Sequence, residues 1–143
     1  MSLSQGETAR FLGISQQRLS YWIQRGAIDV EGGGKPGIRY RFTPADVFRA
    51  LIVKELLEAG ANLHEIRTAI SAVKDAEKLD DLKADWLCVE PGTGEATLYE
   101  SDREALLRLK NTKAYLVDIN SHKRKVREGI QTQEQEEILA GSE

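Results

Sequence analysis

The segment 14–26, ISQQRLSYWIQRG, constrains the fold more than any other part of the chain because it predicts a short amphipathic helix with defined ends. Ser15 is a residue type that accepts hydrogen bonds from the free N–H groups of a first helical turn. Gly26 is the type that commonly ends a helix in the left-handed conformation. Three apolar side chains have the i, i+3, i+4 spacing of a buried stripe: Leu19, Trp22 and Ile23. We therefore expect a helix over 15–25 with one face in a core.

The opposite face of this predicted helix carries polar side chains almost exclusively. They are Gln16, Gln17, Arg18, Ser20, Tyr21, Gln24 and Arg25. Amide, hydroxyl and guanidinium groups are those that hydrogen-bond base edges or phosphates. An ordinary solvated helix face has a similar composition, so the segments on either side have to decide between the two interpretations.

Composition and charge fit a small intracellular protein with a locally basic surface. The chain has 143 residues, of which 41% are hydrophobic and 30% charged, enough for one domain or two small ones. We find no apolar run long enough to span a membrane and no signal-peptide pattern, and the single Cys88 allows no internal disulfide, so we expect a cytoplasmic location. The net charge is −3, but residues 1–41 contain six Lys or Arg against three Asp or Glu. This local excess is what a phosphate backbone requires.

The residues before the helix predict a helix-turn-helix. Ser4 and Glu7 form a capping-box pattern that opens a helix ending near Leu12, and Gly13 begins a tight turn into the helix 15–25. Two helices joined by a glycine-containing turn, the second with a polar outer face, are typical of DNA-binding proteins, although many helical hairpins share the pattern.

The residues after the helix predict a basic β-hairpin. Apolar residues alternate over 28–30 and 38–42, and the segment between them is rich in glycine and contains Lys35. Period two places Arg39 and Arg41 on the face opposite Tyr40. We interpret residues 29–42 as a wing, that is, a basic hairpin beside the helix 15–25. A glycine-rich surface loop with incidental arginines is the alternative.

Residues 4–72 together resemble the MerR-type winged-helix DNA-binding family. The residues that carry the resemblance are Thr8-Ala9, Gly13-Ile14-Ser15, Leu19, Tyr21-Trp22, Arg25-Gly26-Ala27-Ile28, Arg41-Phe42-Thr43, Asp46-Val47 and the segment from Leu56 to Ile66. The resemblance implies a transcription regulator that binds a pseudo-palindromic operator as a homodimer, with helix 15–25 in the major groove and the wing on flanking backbone.

The chain departs from the family pattern in three respects. The family usually has arginine where this chain has Ser20, and Arg18 could replace that contact. The family's Gly-Tyr-Arg run in the wing is Arg39-Tyr40-Arg41 here. Many members continue into a long dimerising coiled coil, which this sequence does not predict.

The predicted fold class is mainly α with small β: a winged helix-turn-helix domain followed by a small ββαβα module. We assign residues 1–79 to the first domain, 84–131 to the second and 132–143 to a disordered acidic tail. The sequence of this module predicts strands near 86–89, 96–99 and 114–119. It also predicts a helix that starts at Ser101 and a basic helix capped by Ser121. Because so small a unit buries little apolar area, we expect it to form the dimer contact through edge strands or helices. A ligand-sensing pocket is the competing interpretation, and the sequence identifies no inducer.

We therefore expect a sequence-specific DNA-binding regulator. The expected DNA-binding residues are Gln16, Gln17, Arg18, Ser20, Tyr21, Arg25, Lys35, Arg39, Tyr40 and Arg41. An architectural DNA binder of the recombination-directionality type and a protein-interaction adaptor without DNA binding are the alternatives. We expect no enzyme, cofactor or metal: no catalytic constellation appears, the Gly32–Lys35 run lacks the spacing of a phosphate-binding loop, and His64 has no partner at ligand spacing.

Overall fold

The chain begins with two short helices whose ends are fixed by side-chain caps. The computed structural model describes residues 2–30, 40–74, 78–111 and 114–141, without the side chains of 106, 108–111, 133–138 and 140–141. Helix α1 (Gln5–Leu12) starts at the predicted capping box, in which the Ser4 hydroxyl accepts from the N–H of Glu7 and the Glu7 carboxylate accepts from the N–H of Ser4. Helix α2 (Gln16–Gln24) starts at Ser15, whose hydroxyl accepts from the N–H of Arg18. Gly13, with φ 72°, makes the turn between them, so the predicted helix-turn-helix is present.

The strand that precedes the third helix pairs with the N-terminus. Strand β1 (Leu3–Ser4) is antiparallel to β2 (Arg41–Phe42), with Leu3 opposite Phe42. We expected residues 38–42 to pair with 28–30 instead, and that pairing is wrong within the described residues, where 27–30 form no strand. Ile28 and Val30 are buried against the core, and Asp29 between them is exposed. The alternating apolar pattern therefore reflects burial of an irregular segment and not a strand. The rest of the predicted hairpin, residues 31–39, lies outside the described part.

Helix α3 (Pro44–Glu58) is the central element of the molecule. Its capping box joins Thr43 and Asp46, with proline at the first turn. Its buried apolar residues surround the helix: Ala45, Val47, Phe48, Ala50, Leu51, Ile52, Val53 and Leu56. A helix that is apolar on all sides must be covered on all sides. Helix α4 (Leu63–Val73), which starts at an Asn62–Glu65 capping box, covers one side together with α1, and the second half of the chain covers the rest.

The second half is a small sheet with two helices. After a 3₁₀ turn (Leu79–Asp81), strands β3 (Trp86–Val89), β4 (Ala96–Tyr99) and β5 (Tyr115–Asp118) form an antiparallel sheet in the order β4-β3-β5. Helix α5 (Asp102–Asn111) lies between β4 and β5 in sequence, and α6 (Ile119–Gly141) follows. Buried residues of β3 and β5 belong to the same hydrophobic cluster as those of α3. The division into domains at residues 79 and 84 stays a prediction.

Helix α6 differs from its prediction at both ends. It begins at Ile119, because the Asp118 carboxylate, rather than Ser121, accepts the free N–H of the first turn; the Asp118 Oδ1 to Ser121 N distance is 3.1 Å. It continues to Gly141, so residues 132–141, which we expected to belong to a disordered acidic tail, are helical in the structure. Glutamate and glutamine, which dominate 133–137, are good helix formers, and buried Ile119 and Val126 anchor the helix upstream.

The basic run at the start of α6 is only partly a solvated surface. Arg124, Lys125 and Arg127 are exposed, and Arg127 forms an ion pair with Asp80. Lys123 is buried instead, and its ammonium donates to the carbonyl of Leu82. None of the helices in the described segments has the length and apolar composition needed to cross a bilayer.

Candidate nucleic-acid interface

Helix α2 presents a polar face to solvent and an apolar face to the core. Leu19 is fully buried and Trp22 is 4% exposed, whereas Tyr21 between them is 53% exposed. The other exposed side chains on this helix and its C-terminal cap are Gln16, Gln17, Arg18, Gln24 and Arg25. This is the orientation that the spacing of the apolar residues predicted. The role of these side chains as DNA contacts stays a prediction.

Two guanidinium groups on this face lie over aromatic rings of the same helix. The Arg18 guanidinium is 5.5 Å from the centre of the Trp22 ring, and that of Arg25 is 4.9 Å from the centre of the Tyr21 ring. Stacking on a ring restricts a guanidinium but leaves the N–H groups at its edge able to donate. Both arginines are therefore partly ordered donors suited to phosphate or to a base edge.

Ser20 differs from the other predicted contacts because it is half-buried and already hydrogen-bonded. Gln5 of α1 donates through Nε2 to the Ser20 hydroxyl at 2.5 Å and to the Gln16 carbonyl at 3.1 Å. Ser20 therefore joins the two helices of the helix-turn-helix. The role of Gln5 could not be predicted from the sequence, because its partners lie 11 and 15 residues away.

The structure describes the last residues of the predicted wing, 40–42, whereas 31–39 lie outside the described part. Tyr40 is half-buried against the core, and Arg41 is exposed with its guanidinium donating to the Ser2 hydroxyl at 2.8 and 3.1 Å. Arg41 lies opposite Ser4 in the β1–β2 pair, one residue before Gln5, which contacts α2. Arg41 therefore lies beside the N-terminal strand that leads into α1. Lys35 and Arg39 lie outside the described residues.

A further arginine reaches α2 from the other end. Arg67 of α4 donates through Nη2 to the carbonyl of Arg25, the C-cap residue of α2, at 2.5 Å. The expected site did not include this residue. Among the described residues, exposed Arg18 and Arg25 thus lie on α2, and exposed Arg67 contacts its C-terminal end.

A cleft of about 500 Å³ lies between α1, α3 and α6. Its lining combines apolar residues and Gly129 with charged residues and Thr132: Leu3, Phe11, Leu12, Leu51 and Gly129 with Glu7, Arg10, Lys54, Lys125, Glu128 and Thr132. The predicted alternative of a sensing pocket concerned the second half, whereas this cleft is shared by both halves. Within the described residues no group of three metal-ligating side chains comes together.

Comparison with known proteins identifies the first half of the chain. Residues 3–73 match the model of the MerR helix-turn-helix family of regulatory proteins. The chain carries a MerR-family DNA-binding domain. The resemblance over residues 4–72 is thereby confirmed. Among curated proteins none is significantly similar in sequence.

One solved structure is similar over most of the chain. It is the crystal structure of HiNmlR, "a MerR family regulator lacking the sensor domain, bound to promoter DNA". The similarity covers 99% of this chain and 86% of that one, with 15% identity and a TM-score of 0.42. The family match itself ends at Val73, the last residue of α4, so the sheet β4-β3-β5 and helices α5 and α6 lie outside the matched residues.

Proposed function

We propose that the protein is a sequence-specific DNA-binding transcription regulator that acts in the cytoplasm, with α2 in the major groove and the segment 29–42 on flanking backbone. One observation carries the proposal: in a MerR-family domain, α2 turns Gln17, Tyr21 and Arg25 outward while Leu19 and Trp22 hold it to the core. Glutamine and arginine are the side chains that pair most specifically with adenine and guanine edges.

The basic surface of the first half supports a backbone contact. Residues 1–41 carry a net charge of +3, while the whole chain carries −3. Exposed Arg41 lies in β2, beside the strand that leads into the first helix of the helix-turn-helix. Each neutralised phosphate releases counterions and makes binding weaker at high salt, by about 0.9 units of log Kd per tenfold rise in salt concentration. We expect a salt-sensitive complex of modest affinity per chain.

A homodimer on a pseudo-palindromic operator completes the proposal. Strands β4 and β5 are the outer strands of a sheet in which β3 pairs with both, so each has one side available for another strand. We propose that the second half supplies the contact between two copies. Half-sites bound in this way are expected about 34 Å apart, one helical turn of DNA, or a multiple of it.

The decisive experiment is selection of bound fragments from random DNA, followed by a footprint. Gln17→Ala should mainly relax the preference at one base pair. The double variant Arg39→Ala with Arg41→Ala should weaken all sequences alike and reduce the salt slope by up to about 1.8. Arg103→Ala, which removes an exposed arginine of α5, is the control for charge alone.

Three outcomes would contradict the proposal. Equal loss on all sequences for Gln17→Ala would remove the reading role of α2. Bending of DNA at clustered sites without effect on transcription would favour the architectural binder. Absence of binding to any fragment at low salt would favour the adaptor.

A further inference from the structure

The C-terminal end of α2 is held by backbone bonds and by one side chain from outside. Gly26, with φ 75°, donates its N–H to the carbonyl of Ile23 at 3.1 Å, and Ala27 donates to that of Trp22 at 3.0 Å. Together these two bonds form a Schellman motif. The carbonyl of Arg25 accepts from the Arg67 guanidinium. The last carbonyls of a helix carry its negative dipole end, so a cation there is favourable.

The Arg67 guanidinium lies in van der Waals range of Gly26, where the positive φ rather than a lack of space favours glycine. A Cβ at this position would lie 3.4 Å from Nη2 and 3.7 Å from Nε of Arg67. The guanidinium therefore packs directly over the left-handed residue that ends α2. Its partner carbonyl belongs to Arg25, whose own guanidinium stacks on Tyr21. Arg67 thus restrains the residue whose side chain the proposed function places at the DNA.

Helix α4 also packs against the second half of the chain. Gly94, in the turn between β3 and β4, lies so close that a Cβ there would be 2.8 Å from two ring atoms of His64 and 3.7 Å from the Thr68 hydroxyl. Gly94 has φ +70° and donates its N–H to the carbonyl of Glu90 at 2.9 Å. The turn thus fixes one side of α4, while Arg67, on the adjacent side, contacts α2.

We propose that Arg67 is a positioning residue for DNA recognition. It fixes the last turn of α2. Because α4 packs against the β3–β4 turn, Arg67 also couples the position of α4 on that turn to the orientation of the helix that reads DNA. The proposal rests on the proposed function for its DNA consequence, but not for its structural part. Without Arg67, the last turn of α2 opens more often, and Arg25 and Tyr21 lose their fixed orientation.

Two variants test the role, with a matched control. Arg67→Met keeps the length and apolar stem but removes the donors, and Arg67→Lys retains a cation that can donate to the Arg25 carbonyl. Arg103→Met removes an exposed arginine from α5, far in sequence from α2. The first measurement is hydrogen exchange of the Gly26 and Ala27 amides in the free, full-length protein. The second is the Kd for a selected DNA fragment at several salt concentrations.

We expect Arg67→Met to reduce the protection of both amides by roughly threefold to tenfold and to raise Kd by a similar factor, as for the loss of one exposed charge-assisted cap. The salt slope should stay unchanged, because Arg67 neutralises no phosphate. Arg67→Lys should restore part of both effects, and Arg103→Met should show neither. Gly94→Ala should also reduce protection at Gly26 and Ala27, although Arg67 is intact.

The outcomes separate the proposal from its alternatives. Unchanged protection in Arg67→Met would overturn it. A fall of the salt slope by about 0.9 would show that Arg67 contacts phosphate, and would also overturn it. Reduced protection in a protein whose wild type binds no DNA would leave the structural role of Arg67 standing and refute only the proposed function.

Discussion

Gly129→Ala is a test of whether α1 and α6 pack as the structure shows, because two effects of known size oppose each other. Alanine in a helix interior is favoured over glycine by about 1 kcal/mol. In this helix, however, a Cβ at Gly129 would lie within 3.0 Å of three atoms of the Phe11 ring. Inserting a methyl group into filled space costs about 1–3 kcal/mol. We therefore expect a net loss of about 1 kcal/mol of unfolding free energy, although propensity alone predicts a gain.

Urea and thermal unfolding measure this change, and a loss of 1 kcal/mol corresponds to a fall in Tm of roughly 3–5 °C for a chain of this size. Gly6→Ala in α1 is the matched control, since a Cβ there would meet the tip of the exposed Gln16 side chain at 3.1 Å. It should be neutral or stabilising by up to about 1 kcal/mol. In the Phe11→Ala background, Gly129→Ala should become stabilising. If Gly129→Ala stabilised the wild type, α1 and α6 would not be in contact as described.

Three further predictions address the cap of α2, the buried lysine and the cysteine. Ser15→Ala removes the acceptor for the N–H of Arg18 and should lower the unfolding free energy, measured in urea, by about 1 kcal/mol, whereas Ser15→Asp should retain most of the wild-type stability. Equal unfolding free energies for the two variants would exclude the cap. Burial, with repulsion from Arg127, lowers the pKa of the Lys123 ammonium in the folded protein below its usual 10.5. At pH values between the pKa of the folded chain and that of the unfolded chain, the unfolded chain therefore binds more protons. The stability of the wild type relative to Lys123→Met should therefore rise as the pH increases towards about 10.5, and a flat or falling difference would contradict the burial. Cys88 is 2% exposed, so a thiol reagent should react slowly with the native protein and faster as urea opens it; complete reaction on mixing would show that β3 is accessible.

The start of α1 could be predicted from the sequence because its determinant is local, whereas α6 begins before its predicted cap Ser121. The capping box at Ser4 joins residues three apart, as do those that the structure contains at Thr43 and Asn62. The partner of β2 could not be predicted in this way. It pairs with residues 3 and 4, nearly forty positions upstream, and a local pattern favoured the nearer apolar segment 28–30 instead.

The candidate site shows the same limit. The outward face of α2 follows from the positions of Leu19 and Trp22, because helical periodicity is a local property. Gln5 and Arg67, which hold the two ends of the helix, come from α1 and α4, and nothing in the sequence near them marks the contact. The burial of Lys123 is likewise a tertiary effect, because its partner is a backbone carbonyl far upstream.

The two halves of the chain are joined through α3, and this bears on how the second half can influence DNA binding. On the side of α3 that faces α6, the Glu55 carboxylate accepts a hydrogen bond from Nε2 of the buried His122 ring at 2.6 Å. Val126 and Ile119 are completely buried in the same cluster as the apolar residues of α3. On its other side, α3 packs against α1 and α4, which both contact α2 through side chains. Because packed interiors transmit displacements rather than absorb them, a displacement in the second half would reach α2 through α3 and α4. The second half is then part of the structure that orients α2, and under the proposed function it would affect DNA binding by this route.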